Sequence, residues 1–350
     1  MENLLVNKVA AVKEVRQAAE YQKKKQACIL TGLAGSSKPV FFAAADKLLG
    51  GKGSMAFVTA SREEIRTYRR ELNYLYPDLP MQELYPVSLP RVQADTQSLE
   101  LQAGRAAALR FLSGEERGIV FITAEALQQK QLRPSGMSGK ALQLAVGEEH
   151  EQRNIAAALL DLGYERTEQV DALGQFCLRG DILDVYPINS SAAVRIEWFD
   201  NELDAMRSFD VDTQRSLQTL TSIKIAPLKV DESFSYDADI FEYCAADTMV
   251  VVDEPVHVFS MLEKLDKENK EHASELFGKQ ELIEQLAANG AVLVSALGHS
   301  YLQQLPSLNI PVRAVAPYNK NTNLLVEDLQ NWLAEGITPL IMLSGSIKAR

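Results

Sequence analysis

The chain has 350 residues, of which 46% are hydrophobic and 24% charged, and it carries a net charge of −11. Length and composition predict a globular protein of two or three domains, and no apolar run approaches the roughly 20 residues that a membrane helix requires. The N-terminus lacks the pattern of a signal peptide, and the acidic charge disfavours a chain that grips duplex DNA by itself.

The cysteines are few and scattered along the chain. Cys28, Cys177 and Cys244 form no CxxC pair, and the four histidines are dispersed. The sequence therefore predicts neither a metal site nor a bound cofactor. Separated cysteines in odd number are typical of free thiols in a reducing compartment, so we expect a cytoplasmic protein.

Residues 1–123 predict strands and helices in alternation, which favours a mostly parallel sheet. Apolar runs predict strands at 27–31, 55–59, 81–85 and 118–123. Ser61 and Glu64 form a capping box at the start of a helix, and Ile65 and Tyr68 begin its apolar face. Further helices are predicted at 40–49 and 99–111.

A degenerate phosphate-binding loop lies between the first strand and its helix. Residues 32–39 read GLAGSSKP, whereas a working loop reads GxxxxGK followed by Ser or Thr. Ser37 replaces the second glycine, and Pro39 replaces the hydroxyl that would ligate Mg²⁺. Proline also has no N–H to offer a phosphate. The loop residues that remain as candidates are Gly32, Gly35 and Lys38.

This loop is compatible with two interpretations. The first is a helicase-like domain that has kept its shape and lost nucleotide hydrolysis. The second is an ordinary strand–turn–helix with small residues at the N-terminus of the helix, because one degenerate loop is a weak signal.

The pattern changes after residue 123. Short strands separated by tight turns predict an antiparallel α+β domain over 124–211, including a period-two strand at 194–199. The apolar residues expected in its core are Ile182, Val185, Ile196 and Trp198.

Alternating strands and helices resume over 212–350. Strands are predicted at 222–226, 248–253, 291–295 and 338–343, and helices at 259–276 and 324–334. Asp253 and Glu254 stand at the end of the second of these strands. The chain stops just after a strand that leads into another phosphate-loop-like turn, so we expect a fragment of a longer protein.

Four segments in the middle of the chain carry a specific pattern. Residues 163–166 read GYER, 176–187 read FCLRGDILDVYP, 195–202 read RIEWFDNE and 208–217 read SFDVDTQRSL. This order resembles the UvrA-binding domain shared by the excinuclease component UvrB and the bacterial transcription-repair coupling factors. The last segment is more similar to the coupling factors, and the degenerate loop agrees, because UvrB needs a working one.

The resemblance implies both architecture and function. The expected fold is α/β: a degenerate RecA-like (helicase-like) parallel-sheet domain built from residues 1–123 and 212–350, with an inserted α+β antiparallel domain over 124–211. The implied function is recruitment of the excinuclease component UvrA in nucleotide excision repair, without catalysis by this segment. In the whole coupling factor, further domains bind RNA polymerase and translocate on double-stranded DNA using ATP.

The resemblance also implies contact residues. In UvrB, three arginines of this domain carry the contact with UvrA, and two of their positions match Arg166 and Arg179 here. The third falls on Cys177, which leaves one ion pair in doubt. Phe176 would be the aromatic neighbour if it is exposed, since arginine and aromatic side chains are enriched at interface hot spots. Solvated surface positions remain the alternative for both arginines.

Two competing functions stay open on the sequence. Asp253 and Glu254 sit where UvrB has its metal-and-water motif, so an ATP-dependent, UvrB-like helicase is the first alternative. Without a phosphate cradle, this acidic pair is expected to be vestigial. A DNA-binding scaffold is the second alternative, and the acidic charge argues against it.

Overall fold

A computed structural model describes residues 4–87, 89, 99–134, 141–228, 236–296, 304–312, 318–319 and 321–339. The predicted strand at 338–343 and the turn after it lie outside these residues, apart from 338 and 339. Within these ranges, no helix is both long and apolar enough to cross a membrane.

The strands are β1 (Cys28–Thr31), β2 (Met55–Thr59), β3 (Met81–Leu84), β4 (Ile119–Thr123), β5 (Gln131–Leu132), β6 (Leu142–Ala145), β7 (Glu165–Arg166), β8 (Gln175–Arg179), β9 (Ile182–Val185), β10 (Ala193–Phe199), β11 (Glu202–Phe209), β12 (Ser216–Leu220), β13 (Ser222–Ile225), β14 (Tyr236–Ala238), β15 (Met249–Asp253), β16 (Val292–Ser295) and β17 (Ser307–Asn309). The α-helices are α1 (Leu4–Ala10), α2 (Lys13–Lys23), α3 (Ser37–Leu48), α4 (Arg62–Leu75), α5 (Leu99–Ser113), α6 (Ala124–Gln128), α7 (Gln152–Asp161), α8 (Pro255–Glu268), α9 (Lys279–Ala288) and α10 (Thr322–Ala334).

A parallel seven-stranded sheet forms the larger part of the molecule. Its order is β17-β1-β16-β15-β2-β4-β3, and every neighbouring pair is parallel. Strands β15 and β16, from late in the chain, lie between β1 and β2. The predicted parallel sheet built from two chain segments is therefore confirmed.

Both faces of this sheet are covered by apolar side chains. One cluster packs residues of α5, α6 and α8 against the sheet, with Phe111, Leu127 and Phe259 among them. The other cluster packs residues of α3 and α4, including Phe42 and Tyr68. Burial on both faces explains why β15 is an uninterrupted β-branched run rather than an alternating one.

Helix α4 begins as its sequence predicts. The Glu64 carboxylate accepts hydrogen bonds from the backbone N–H groups of Ala60 at 2.9 Å and Ser61 at 3.2 Å. These bonds satisfy donors that have no partner within the helix. Ile65 and Tyr68 are buried on its inner face.

The helix predicted over 259–276 has different limits. Helix α8 begins at Pro255 and ends at Glu268, and a separate 3₁₀ turn covers Lys270–Glu275. The helix ends because the backbone of Asn269 leaves the helical conformation, with φ −109° and ψ 31°.

The second sheet has six strands in the order β12-β11-β10-β9-β8-β7. All its pairs are antiparallel except β7–β8. Helix α7 covers one face, where Val185, Ile196 and Trp198 are buried as predicted. Ile182 is an exception: it is 36% exposed and belongs to the other face, because it stands three residues from Val185.

The predicted bounds of the inserted domain, residues 124–211, stay a prediction. Ala124, Ala126 and Leu127 pack in the core of the parallel sheet. Strand β12 pairs with β11, and β13 pairs with β6, although both β12 and β13 lie beyond residue 211.

Candidate functional site

The degenerate loop, residues 32–39, forms hydrogen bonds among its own groups. The backbone N–H of Ser37 donates to the carbonyl of Ala34, and that of Lys38 to the carbonyl of Gly35, both at 3.2 Å. The Ser37 hydroxyl donates to the Ala34 carbonyl at 2.7 Å. Pro39 is buried and has no N–H. The N–H groups of Ser37 and Lys38, which would face a phosphate at the helix N-terminus, are therefore bonded inside the loop, and position 39 has none.

Gly32 shows why the loop keeps a glycine there. Its φ is +86°, and a Cβ would lie 2.7 Å from the carbonyl oxygen of Ile310. A side chain would be strained in this conformation and would clash with backbone. Gly35 also has a positive φ, of +53°, but meets no neighbour within 4 Å.

Lys38 contacts the two acidic candidates from the far end of the chain. Its Nζ lies 2.6 Å from Oδ1 of Asp253 and 2.9 Å from Oε1 of Glu254. Burial by itself would lower the pKa of Lys38, but the hydrogen bonds and charges of Asp253 and Glu254 outweigh it and raise that pKa. The structure thus brings three predicted residues together, with the ammonium of Lys38 paired to the carboxylates of Asp253 and Glu254.

Glu254 is held in an unusual backbone conformation. Its φ is +42°, directly before Pro255 at the first position of α8. Its carboxylate also accepts from the backbone N–H of Ala296, which follows β16, at 3.1 Å. A strained residue of this kind persists only when its surroundings fix it. Glu254 therefore ties the ends of β15 and β16 to Lys38.

A cavity of about 210 Å³ beside the loop is acidic. It is lined by Gly35, Lys38, Glu64, Thr67, Tyr68, Glu71 and Asp253. Burial, followed by the nearby charge of Asp253, raises the pKa of the Tyr68 hydroxyl well above its usual range. Three carboxylates face one ammonium that is already paired, so the field in this cavity opposes a phosphate group.

No cluster of three metal-ligating side chains occurs in the part of the chain that the structure describes. At Asp253 and Glu254 the cation is the ammonium of Lys38.

The second candidate site lies on the antiparallel sheet. Arg179 ends β8, and its side chain is 55% exposed. Nη2 of Arg179 lies 3.4 Å from Oδ2 of Asp184 on the neighbouring strand β9, and the Asp184 side chain is only 2% exposed. This long contact orients the guanidinium but leaves most of its donors free for a partner.

Arg195 is a further arginine of this site that the sequence did not single out. It donates from Nε to Oδ1 of Asp184 at 2.6 Å and from Nη2 to Oδ2 at 2.8 Å. Its guanidinium stacks on the ring of Phe209 with 4.6 Å to the centroid. Hydrogen bonding to Asp184 raises the pKa of Arg195. Asp184 is therefore the buried anchor of two arginines.

The expectation that Phe176 is exposed beside Arg179 is wrong. Phe176 is fully buried in the cluster beneath α7 and cannot be the exposed aromatic neighbour of Arg179. Cys177 points to the other face but is buried as well, and its Sγ donates to the carbonyl of Glu168 at 2.9 Å. Alternation places the two side chains on opposite faces, and each face has its own apolar cluster there.

Arg166 and Arg179 are not brought together. Arg166 is exposed on the edge strand β7, in register with Phe176. Residues in register share a face, and Arg179 is three residues beyond Phe176 on β8. The two arginines therefore belong to opposite faces of the sheet.

Comparisons with known proteins match the second domain to a family. Residues 142–230 match the family model of the UvrB interaction domain. The chain is 36% identical over 203 residues to the transcription-repair-coupling factor of Bacillus subtilis (strain 168), covering 57% of this chain and 17% of that protein. It is 28% identical over 165 residues to the transcription-repair-coupling factor of Escherichia coli (strain K12), covering 47% and 14%. These matches confirm the resemblance read from residues 163–217.

The chain spans about a sixth of the length of these relatives. Among solved structures, a truncated XPD is distantly similar over 86% of this chain and 99% of that chain, with 9% identity and a TM-score of 0.34.

Proposed function

We infer that this chain is a non-catalytic adaptor that recruits the excinuclease component UvrA in transcription-coupled nucleotide excision repair. The observation that carries this proposal is the match of residues 142–230 to the UvrB interaction domain, on which Arg179 presents a half-exposed guanidinium. Such a group forms bidentate bonds with carboxylates of a partner, and arginines are enriched among the residues that dominate interface energies.

The state of the nucleotide loop supports an adaptor over an enzyme. Lys38, which would contact phosphates in a working loop, is bound to Asp253 and Glu254 instead. The N–H groups of Ser37 and Lys38 are bonded inside the loop, and the adjoining cavity is acidic. A nucleotide would have to break these ion pairs and enter a repulsive field.

The test is a binding measurement with UvrA and two charge-reversed variants. Arg179→Glu should weaken binding at least about tenfold, because it replaces a contact with like-charge repulsion. Arg153→Glu is the matched control, since Arg153 is an exposed arginine of the same domain on α7. Its variant should bind within about threefold of the unchanged chain. Equal affinities for all three proteins would contradict the proposed site.

We propose binding to RNA polymerase and translocation on double-stranded DNA only for a full-length coupling factor, and not for this chain. Their domains would lie in the five sixths of the relatives that this chain does not match.

A further inference from the structure

We propose that Ile182 and Phe199 are apolar contact residues of the same UvrA interface, and that with Arg179 they form one patch. This inference rests on the proposed function and extends it, because an arginine alone does not define an interface. The three residues are called the Arg179 patch below.

Register places the patch on one face of the sheet. Arg179 on β8 pairs with Ile182 on β9, and Ile182 pairs with Glu197 on β10. Phe199 lies two residues beyond Glu197 and so faces the same side. The Gly180–Asp181 turn and the end of β10 are joined there, since the N–H of Trp198 donates to the Asp181 carbonyl at 2.9 Å.

The two apolar residues of the patch are exposed, although each face of the sheet has a buried apolar cluster in another place. Phe199 is 75% exposed and Ile182 is 36% exposed. The opposite face packs Ile196 and Trp198 beneath α7, and the far end of the same face packs Cys177 with Phe209. The core thus needs neither Ile182 nor Phe199. Aromatic side chains and arginine are both enriched at protein–protein interfaces.

The cation of the patch is Arg179, whose half-exposed guanidinium can meet a carboxylate of the partner. Oε1 of Glu197 lies 2.5 Å from Nη2 of Arg207, and Asp184 is paired with Arg195. Asp184 and Glu197 on β9 and β10 are thus matched, and Arg179 keeps donors for a partner, while Glu202, in register with Phe199, is an exposed carboxylate at the edge of the patch. The Asp181 carboxylate turns to the other side, where it accepts from Gln152 of α7.

These features specify the chemistry of the surface that docks here. It is a protein surface with an apolar recess for Phe199 and Ile182 and at least one carboxylate placed to meet Arg179. Fully desolvated apolar anchors ringed by polar contacts supply most of the binding energy in such interfaces.

The experiment measures binding of UvrA to serine variants of the two apolar residues. Ile182→Ser and Phe199→Ser should each weaken binding at least about tenfold, a hot-spot effect. Leu217→Ser on β12 and Leu160→Ser on α7 are matched controls, because these side chains are 61% and 52% exposed in the same domain. The controls should remain within about threefold.

The charged and apolar contributions can be separated by salt. Arg179→Ala should reduce the salt dependence of binding, whereas Ile182→Ser and Phe199→Ser should weaken binding by a similar factor at low and high salt. Thermal unfolding of each variant shows whether the fold is kept, and Ile182→Ala provides a milder truncation.

The outcomes distinguish this inference from the proposed function. If Arg179→Glu weakens binding but both serine variants bind like their controls, the patch is wrong and the adaptor function stands. If the unchanged chain does not bind UvrA, the proposed function fails and the patch fails with it.

Discussion

Lys38 and Asp253 stand 215 residues apart and are bonded to each other, with 2.6 Å between Nζ and Oδ1. In a working nucleotide site, a lysine and an acidic residue at these positions act on phosphate and metal. Here their charges satisfy one another, and the contact joins the start of α3 to the end of β15.

Removal of the Lys38 ammonium should destabilise the parallel-sheet domain. Lys38→Met leaves Asp253 and Glu254 adjacent, largely buried and without their cation, which should cost about 1–3 kcal/mol of unfolding free energy. Urea denaturation measures this loss.

Neutralising the carboxylates supplies the control for that variant. Lys38→Met combined with Asp253→Asn and Glu254→Gln should recover part of the loss, while Lys52→Met at an exposed position should change little. A Lys38→Met protein as stable as the unchanged chain would show that the ion pairs contribute nothing.

The contact of Lys38 with Asp253 and Glu254 predicts that the free energy of unfolding depends on pH in the alkaline range. The folded-state pKa of Lys38 is raised above its usual value. The stabilisation is therefore complete below the unfolded pKa of about 10.4 and is lost as the pH rises through the folded pKa. Above about pH 10.4, the unchanged chain should therefore lose more stability per pH unit than Lys38→Met. Parallel loss in both proteins would contradict this linkage.

Nucleotide should not stabilise the chain. A ligand present at 100 times its dissociation constant adds about 2.7 kcal/mol of stability. Because the N–H groups of Ser37 and Lys38 are bonded inside the loop and the Lys38 ammonium is paired with two carboxylates, MgATP at about 1 mM should leave the Tm unchanged within error. A clear rise in Tm together with Lys38-dependent ATP hydrolysis would favour the helicase alternative.

Asp184 should be the positioning residue of the second site. Asp184→Asn leaves the largely buried Arg195 without its carboxylate and should cost about 3 kcal/mol. It should also weaken UvrA binding several-fold, because Arg179 loses its orienting contact. Asp204→Asn, at an exposed position of β11, is the control for both measurements.

The cysteines should be unreactive in the folded protein. Burial raises the pKa values of Cys28 and Cys244 to about 12. Since the thiolate is the reacting form, alkylation at about pH 8 should be slow for both and should accelerate on unfolding. Rapid labelling of Cys28 in the folded chain would show that β1 is not buried as described.

The sequence predicted the regular elements well where the local signal is strong. Strand β15 is an uninterrupted apolar run, and the start of α4 is encoded by Ser61 and Glu64 within one turn. The end of α8 at Glu268 was missed, because the backbone leaves the helical conformation at Asn269 without a breaker such as proline in the sequence.

For the candidate site residues, the sequence likewise predicted the local pattern but not the burial of the side chains. Alternation indicated that Phe176 and Cys177 face opposite sides, yet it gave no sign that both sides are buried at that point. Ile182 looked like a core residue by its apolar type, although a spacing of three residues from the buried Val185 puts the two side chains on opposite faces of one strand.

The sequence by itself determined that the nucleotide loop is degenerate and that the middle of the chain resembles a UvrB interaction domain, because both are properties of residue type and order. The tertiary structure decided that Lys38 is bound to Asp253 and Glu254 and that Asp184 anchors Arg179 and Arg195. The physical reason is that contacts between separate helices and strands join residues whose separation along the chain carries no local signal.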